Sequence, residues 1–497
     1  MIHKVKYLKI ILIVSTLFLS KINCNLIIPL KFIQIDKINE TNPTPSSIMR
    51  SIIYRETYAE IELGTPKQLI QIPLTFYSND FYIADNAKYE FSKYPQRYNN
   101  LKFFNSSNSE TCDRIEEKQY KGDNFVFAQY YKDFFYFNDQ KVELEFYLPI
   151  ETRKVESGGI GLQLWPRLED TTSTINDKRS FLKKIQKLKL INELYWSVFY
   201  NSKDYKNKEG FLLLGSLPHL LNKSLGYYKK EYFNAEYLRY INADYWVDYI
   251  EHVFKFDEIY AFEGNNKEKK IEEIQFPETN LRLYKIELNY NLGGIQAPHR
   301  FLSYYEKFFE EYISKKECFA DVFYDSKKKY FFCKNDKNLI SKIKQNFPGF
   351  NFKSNELNYN FDITGEDLFY EEDNYIYLLM FFDYSSGDNW IMGRPFLQKY
   401  QFFINPEKKN INFYYNLDLT NKNGEEDEPK NNSNFILYII IVVSLIIIII
   451  LGFLFWKYYT EAKNNKRKRA NELDDDCYDY VQKKDLNENE YSNPINE

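Results

Sequence analysis

The chain has 497 residues, of which 27% are charged and 44% hydrophobic, and its formal net charge is −4. This length can accommodate a large core or several domains, and a charge so close to zero argues against a nucleic-acid binder that works through a basic surface. With four histidines and five cysteines, the sequence predicts neither a histidine-rich metal centre nor a disulfide scaffold. We therefore expect no metal and no cofactor.

The N-terminal part of the chain predicts a secretory signal followed by a short leader. Residues 1–24 have a basic start and an apolar run at 10–19, which is typical of a signal peptide removed near Cys24; an uncleaved anchor is the alternative. Residues 25–53 contain Pro29, Pro43 and Pro45 and are interpreted as a leader or propeptide-like segment.

The region 54–415 predicts a mainly β structure. Short apolar and alternating runs, such as 58–63, 210–215 and 402–404, are separated by Asn, Asp, Lys and Gly. Two stretches favour helices instead: 298–313, which begins at a proline and repeats aromatic residues at helical spacing, and roughly 178–191. We expect those aromatic stripes to face the core.

The cysteines and the glycosylation motifs are consistent with an oxidising, secretory compartment. Cys318 and Cys333 enclose a short segment, and a disulfide between them would stabilise the fold by about 3 kcal/mol. Cys112 has no obvious partner, so a free thiol and an intermolecular bond are both open. Candidate N-glycosylation sites, each in an Asn-x-Ser/Thr motif, are Asn39, Asn105, Asn222 and Asn431.

The C-terminal region predicts a single transmembrane helix at 435–456, after a juxtamembrane linker at 416–434. The run 435–456 is uncharged and long enough to cross a bilayer, and it is followed by basic residues, which stay on the cytoplasmic side. We therefore expect a type I membrane protein of the secretory or endolysosomal route or the cell surface. Its cytoplasmic tail would be 457–497, where 478–481 fits a tyrosine-based sorting signal; a disordered, solvated tail is the alternative.

Several blocks between 58 and 400 resemble, in order, the motifs of pepsin-like aspartic proteases. The blocks are the strand at 58–68, the glycine-containing run at 157–162 (whose spacing departs by a residue), the strands at 196–200 and 210–216, Tyr-Trp at 245–246, and Trp-Ile-Met-Gly-Arg-Pro-Phe-Leu-Gln-Lys-Tyr at 390–400. The resemblance implies a bilobal β fold with a long substrate cleft between lobes 54–225 and 226–415. It also implies a second-lobe disulfide matching Cys318–Cys333, and 28–31 looks like the start of a pepsin-type propeptide.

The catalytic motifs of that family are missing. Its active members carry one aspartate per lobe in Asp-Thr/Ser-Gly triplets; the two carboxylates share a proton and activate a water. The flanking motifs place the first triplet at 75–77 and the second at 289–291, and every residue of both triplets is replaced. Thr75 and Asn289, at the aspartate positions, do not ionise, so we expect no catalytic residue. Tyr77 and Asn291 replace glycines and should crowd the space of the catalytic water.

Three aspartates and one tyrosine lie near these motifs. Asp362, in Phe-Asp-Ile-Thr-Gly at 361–365, is interpreted as part of a strand and turn, and Asp80 and Asp85 lie past the first triplet's turn. Tyr120 has the spacing of the flap tyrosine, which closes over substrate in active members. An ordinary hairpin tyrosine is the alternative.

Three functions follow as hypotheses. The first is a membrane-anchored, non-catalytic relative of pepsin-like proteases that binds a peptide or protein ligand in the inter-lobe cleft or on its outer surface. The alternative is an active aspartic endopeptidase with an unconventional acid pair, since fold alone does not decide activity. The third is a structural surface protein with a closed cleft. No nucleic-acid partner is expected.

Overall fold

The computed structural model describes a mainly β protein with a few helices. The described residues are 25–34, 43–86, 101–121, 125–137, 140–152, 158–164, 179–200, 208–217, 232–236, 240–241, 248–249, 253–264, 266–271, 284–323, 327–354, 359–384, 390–408, 410–414 and 451–466. The chain forms two compact units, Met1–Asp418 and Leu419–Glu497.

The first unit contains the strands and most of the helices. The strands are β1 (Leu26–Gln34), β2 (Arg55–Leu63), β3 (Gln68–Thr75), β4 (Phe81–Ile83), β5 (Asp113–Tyr120), β6 (Phe125–Phe137), β7 (Gln140–Thr152), β8 (Gly158–Gly161), β9 (Trp196–Tyr200), β10 (Glu209–Leu214), β11 (Tyr232–Glu236), β12 (Tyr240–Ile241), β13 (Asp248–Tyr249), β14 (Val253–Phe256), β15 (Glu258–Glu263), β16 (Asn266–Lys270), β17 (Tyr284–Leu288), β18 (Ile295–Pro298), β19 (Cys318–Phe323), β20 (Lys328–Lys334), β21 (Gly349–Ser354), β22 (Tyr359–Ile363), β23 (Phe369–Glu372), β24 (Tyr375–Asp383), β25 (Trp390–Met392), β26 (Phe402–Asn405) and β27 (Asn410–Tyr414). The helices are α1 (Pro45–Ile53), α2 (Phe181–Lys187), α3 (Leu302–Ser314), α4 (Lys337–Asn346), α5 (Gly365–Leu368) and α6 (Arg394–Lys399), with 3-10 turns at Ser106–Asn108 and His299–Phe301.

The strands assemble into two large sheets and two small ones. A 13-stranded sheet has the order β11-β27-β26-β9-β10-β1-β2-β3-β8-β4-β7-β6-β5, and an 8-stranded sheet follows the path β14-β17-β25-β18-β24-β20-β19, with β23 beside β24. A 4-stranded sheet (β16-β15-β21-β22) and the pair β12-β13 complete the set. The large sheet joins strands from early and late parts of the first unit, because β26 pairs with both β9 and β27.

The same three-stranded arrangement occurs once in each large sheet. In the first, β8 runs parallel to β3 and antiparallel to β4. In the second, β25 runs parallel to β17 and antiparallel to β18. In both sheets a glycine packs closely against the backbone of a neighbouring loop. A Cβ on Gly161 would lie 2.6 Å from the carbonyl oxygen of Ser78, and a Cβ on Gly393 would lie 2.1 Å from the carbonyl oxygen of Leu292. The loops after β3 and β17 are therefore equivalent parts of a repeated unit.

Residues 25–34, interpreted above as leader, form an interior strand of the large sheet. β1 pairs with β10 on one side and with β2 on the other. Leu26, Ile28, Leu30 and Phe32 alternate into the core and are 1–3% exposed. After Pro43 and Thr44, the chain forms α1, so this segment is a folded part of the protein.

The two predicted helices are present, with shifted ends. The first begins as the 3-10 turn His299–Phe301 and continues as α3. Of the predicted aromatic stripe, Phe301, Tyr305, Phe309 and Tyr312 are buried, and Phe308 is half-buried against the core. The second is shorter than predicted, since α2 covers Phe181–Lys187. Its N-cap Ser180 accepts a hydrogen bond from the Lys183 amide at 3.3 Å.

The predicted disulfide is confirmed. Cys318 and Cys333 face each other on the antiparallel strands β19 and β20, with an S–S distance of 2.04 Å. Cys112 is a half-buried thiol at the edge of the core.

Only part of the predicted C-terminal region is described. Residues 451–466 are helical, and among the described residues no helix is long and apolar enough to cross a membrane. The predicted signal peptide, the linker 416–434, the stretch 435–450 and the tail beyond 466 lie outside the described residues, as do Asn39, Asn222 and Asn431.

Candidate functional site

The site is formed by the loops that follow β3 and β17. Thr75 is the last residue of β3, and its carbonyl oxygen accepts a hydrogen bond from the Leu162 amide at 3.1 Å. Asn289 comes directly after β17 and donates its backbone N–H to the carbonyl oxygen of Met392 at 2.9 Å. Each position is thus fixed by the parallel strand beside it, and the two occupy equivalent places in the repeated unit.

Three aromatic rings join the two loops. Phe76 stacks on Tyr290 with ring centroids 4.9 Å apart, and Trp196 of β9 contacts both rings, at 5.7 Å from Phe76 and 5.3 Å from Tyr290. All three side chains are at most 4% exposed. This aromatic cluster (Phe76, Trp196 and Tyr290) is an apolar contact between the two halves of the repeat, and stacked and edge-on ring pairs of this kind stabilise beyond their buried area.

Polar contacts reinforce the same junction. The Tyr77 hydroxyl, on the first loop, donates to a carboxylate oxygen of Glu287 at 2.8 Å and lies 3.3 Å from the carbonyl oxygen of Leu288. On the second loop, the Asn291 side-chain oxygen accepts from the Thr57 amide at 3.2 Å. Tyr77 therefore ties the first loop to β17, and Asn291 ties the second loop to β2, through side chains that glycine would not provide.

Thr75 and Asn289, which occupy the positions of the two aspartates in the family's triplets, differ in how their side chains are hydrogen-bonded. The Asn289 side-chain oxygen accepts a hydrogen bond from the Asn291 amide at 3.0 Å, which stabilises the loop as an Asx turn. The Thr75 hydroxyl oxygen is buried and has no hydrogen-bond partner among the described residues. Neither group ionises in the accessible pH range, so neither can act as a general base or acid.

Asp85 and Asp362, two of the acids weighed from the sequence, have structural partners. Asp85 is buried and accepts a hydrogen bond from the Ser106 amide at 3.1 Å. Asp362, on β22, accepts from the Lys399 ammonium at 2.9 Å, and the same ammonium lies 2.8 Å from Asp367. Burial lowers the pKa of Lys399, but the Asp367 and Asp362 carboxylates raise it, and the net pKa is above the ordinary lysine value. Asp362 therefore belongs to a salt-bridge network.

The end of the motif at 361–365 differs from the predicted turn. β22 ends at Ile363, and Thr364 begins α5 as its N-cap. Its amide donates to the Asp367 carboxylate at 2.9 Å, which forms a capping box. The glycine of this motif is thus the first residue of a short helix.

Tyr120 ends β5 in the hairpin that β5 forms with β6. Its ring lies 5.3 Å from the Tyr147 ring and 5.9 Å from the Tyr130 ring, and its hydroxyl donates to Glu116. The turn residues 122–124 lie outside the described part of the chain. The hairpin is present as expected, whereas the closing role of the tyrosine stays a prediction.

Helix α1 covers the second loop, which the sequence did not predict. The Gly293 amide donates to the carbonyl oxygen of Ile53 at 2.8 Å, and Tyr54 forms a β-bridge with Leu292. A Cβ on Gly293 would lie 1.8 Å from the carbonyl oxygen of Ile52, so glycine is required for this approach. The close packing of Gly293 could not be recognised from the sequence, because α1 and the loop are far apart in the chain.

Elsewhere, the described surface contains an open groove of about 560 Å3 between α3 and the β19–β20 hairpin, with Ile313, Ala320 and Phe331 among its lining residues. No lining residue comes from the loops after β3 and β17. Among the described residues there is no group of three or more His, Cys, Asp or Glu placed to hold a metal ion.

No protein-family model and no curated protein matches the chain.

Proposed function

We propose that the chain is a membrane-anchored, non-catalytic relative of the pepsin-like aspartic proteases, with lobes at 54–225 and 226–415 and a helix at 435–456 crossing the membrane. Two independent features support the fold assignment. One is the ordered series of sequence blocks, and the other is the repeated three-stranded arrangement, whose two loops carry the positions that match the family's triplets.

The proposed loss of catalysis is supported by the residues that the two loops contain. Peptide hydrolysis by this family needs one ionised and one protonated carboxylate that share a water. Thr75 and Asn289 occupy the corresponding positions, and the Asn289 side chain is engaged in the turn of its own loop. The aromatic cluster fills the adjacent space with buried rings. This arrangement supports a junction that holds two lobes together.

Binding of a peptide or protein is the activity that such a scaffold can keep without a dyad. The side of the cleft formed by the second lobe is covered by α1, which packs on Gly293. The main described contacts of α1 are with β19, β24 and the loop after β17, all in the second lobe, and not with the hairpin β5–β6 of the first lobe. We therefore place the ligand contact on the first-lobe side of the cleft or on the outer surface.

The test uses the purified ectodomain, about residues 25 to 431, secreted from eukaryotic cells. It is incubated with a quenched peptide library from pH 3 to 7, with and without pepstatin. We expect no cleavage above the blank. Pepstatin-sensitive cleavage would show that another acid pair serves, and the endopeptidase hypothesis would replace this one.

A binding arm uses the same library without quenchers, and bound peptides are eluted and identified by mass spectrometry. We expect enrichment of a sequence class, weakened by Tyr120→Ala and unaffected by Leu188→Ala, an exposed apolar control. No enrichment over an unrelated secreted domain would leave the structural surface protein as the better hypothesis.

A further inference from the structure

The segment before β2 has the contacts of a permanent structural element. β1 is interior: Leu26 pairs with Leu214, Leu30 pairs with both Gly210 and Ala59, and Gln34 pairs with Arg55. An interior strand satisfies backbone groups on two neighbours, so its loss would leave two unpaired edges within the sheet. It would also uncover the apolar core beneath it.

Helix α1 anchors the other end of the segment. Thr44 caps it by accepting from the Ser47 amide at 3.2 Å, and Pro45 occupies its first turn. Met49, Ile52 and Ile53 are fully buried. They belong to an apolar cluster that is separate from the main core and is built largely from β20 and β24 of the second sheet.

The described residues between β1 and β2 offer no substitute for β1. The described residues that lie between β1 and the end of α1 are Pro43, Thr44 and α1 itself, so among the described residues of this segment only these could take the place of residues 25–34. Pro43 and Pro45 have no N–H to donate to a ladder, and the residues of α1 have their apolar side chains committed to the second sheet. The gap between β10 and β2 would therefore stay open.

We propose that residues 25–53 are retained in the mature protein, with β1 as a central strand and α1 as a fixed cap over the loop 289–294. A partner that approaches this loop then meets α1 first. The inference does not rest on the absence of catalysis, because it follows from the pairing of β1 and the burial of α1.

The first experiment determines the N-terminus of the full-length protein purified from the membranes of expressing eukaryotic cells. Mass spectrometry of the N-terminal peptide should place the start at or before Leu26. A mature start anywhere after Leu26 would overturn the proposal. That result would leave the peptidase assay unaffected, so the two proposals can fail separately.

The second experiment cuts the folded protein. A specific protease site is introduced within 35–42 of the full chain, and the protein is cleaved after folding. We expect the fragment with β1 to co-elute with the remainder on gel filtration and to separate only in denaturant. Release of the fragment from a remainder that keeps its Tm would contradict the proposal.

A matched pair of substitutions tests the strand itself. Ile28 is 1% exposed and Ile27, the next residue, is 43% exposed. Because a buried carboxylate is strongly unfavourable, Ile28→Asp should prevent recovery of the folded full-length protein or lower its Tm by at least about 5 °C, whereas Ile27→Asp should shift Tm by less than about 2 °C. Equal recovery and equal Tm for the two variants would count against a structural role for β1.

Discussion

The aromatic cluster provides the most direct test of how the two loops are held together. Phe76 is 3% exposed, stacks on Tyr290 at 4.9 Å and contacts Trp196 at 5.7 Å. Truncating a buried phenylalanine to alanine typically costs about 3–5 kcal/mol, because a cavity remains where the ring was. Each ring contact adds about 0.5–1.5 kcal/mol beyond area burial. We expect Phe76→Ala to destabilise the fragment of about residues 25–431 by about 4 kcal/mol.

Guanidinium unfolding of that fragment, followed by intrinsic fluorescence, measures this loss. A double-mutant cycle with Tyr290→Ala isolates the stacking contact, and we expect a coupling energy of about 1 kcal/mol. Leu188→Ala, at a side chain 44% exposed, is the control and should change stability by less than about 0.5 kcal/mol. A loss below about 1 kcal/mol for Phe76→Ala, or strictly additive effects of the two variants, would refute the idea that these rings clamp the loops.

Three further predictions concern the dyad positions, a buried lysine and the cysteines. Thr75→Asp combined with Asn289→Asp should lower Tm and should not produce peptide cleavage in the quenched-library assay, because the large neighbouring residues remain. Lys399→Met leaves Asp362 and Asp367 without their cation. We expect the free energy of unfolding at pH 7 to fall by about 2 kcal/mol, less than for a fully buried pair because these side chains are partly exposed. In urea unfolding at several pH values, this cost should begin to shrink as the pH rises past about 10.4, where lysine in the unfolded chain loses its proton, and should be lost once the pH exceeds the raised pKa of folded Lys399. Lys315→Met, in an exposed pair, should give no measurable change. Replacing both cysteines of the disulfide with serine should cost about 3 kcal/mol, whereas Cys112→Ser should leave Tm unchanged; a dimer band lost with Cys112→Ser on a non-reducing gel would show an intermolecular bond.

Local patterns in the sequence predicted many of the elements. The alternating run at 58–63 lies within β2, and the apolar run at 402–404 lies within β26. The aromatic stripe at 298–313 identified the buried face of α3. These predictions depend on side-chain periodicity within one element, which the sequence displays directly.

Contacts between distant segments were not predictable in the same way. Pro29 made residues 25–53 look like a linker, since proline disfavours interior strands, yet it lies on β1 opposite Phe211. The alternation of Leu26, Ile28, Leu30 and Phe32 was the signal that could have identified the strand. Trp196 lay in a recognised block, but nothing local indicated that its ring would contact the rings of two loops far away in the chain.

The glycines separate what the fold requires from what catalysis requires. The chain has only 17 glycines, yet it keeps Gly161 and Gly393, where a Cβ would collide with backbone carbonyl oxygens of the neighbouring loops. Those collisions depend only on the fold and not on catalysis. The close approach of the neighbouring backbone therefore accounts for glycine at 161 and 393. At 77 and 291 the proposed family has glycine beside its aspartates, whereas Tyr77 here hydrogen-bonds to Glu287 of β17 and Asn291 to Thr57 of β2. Glycine is thus present where the crossing backbones leave no room for a Cβ, whereas positions 77 and 291 carry side chains whose hydrogen bonds hold the two loops to neighbouring strands.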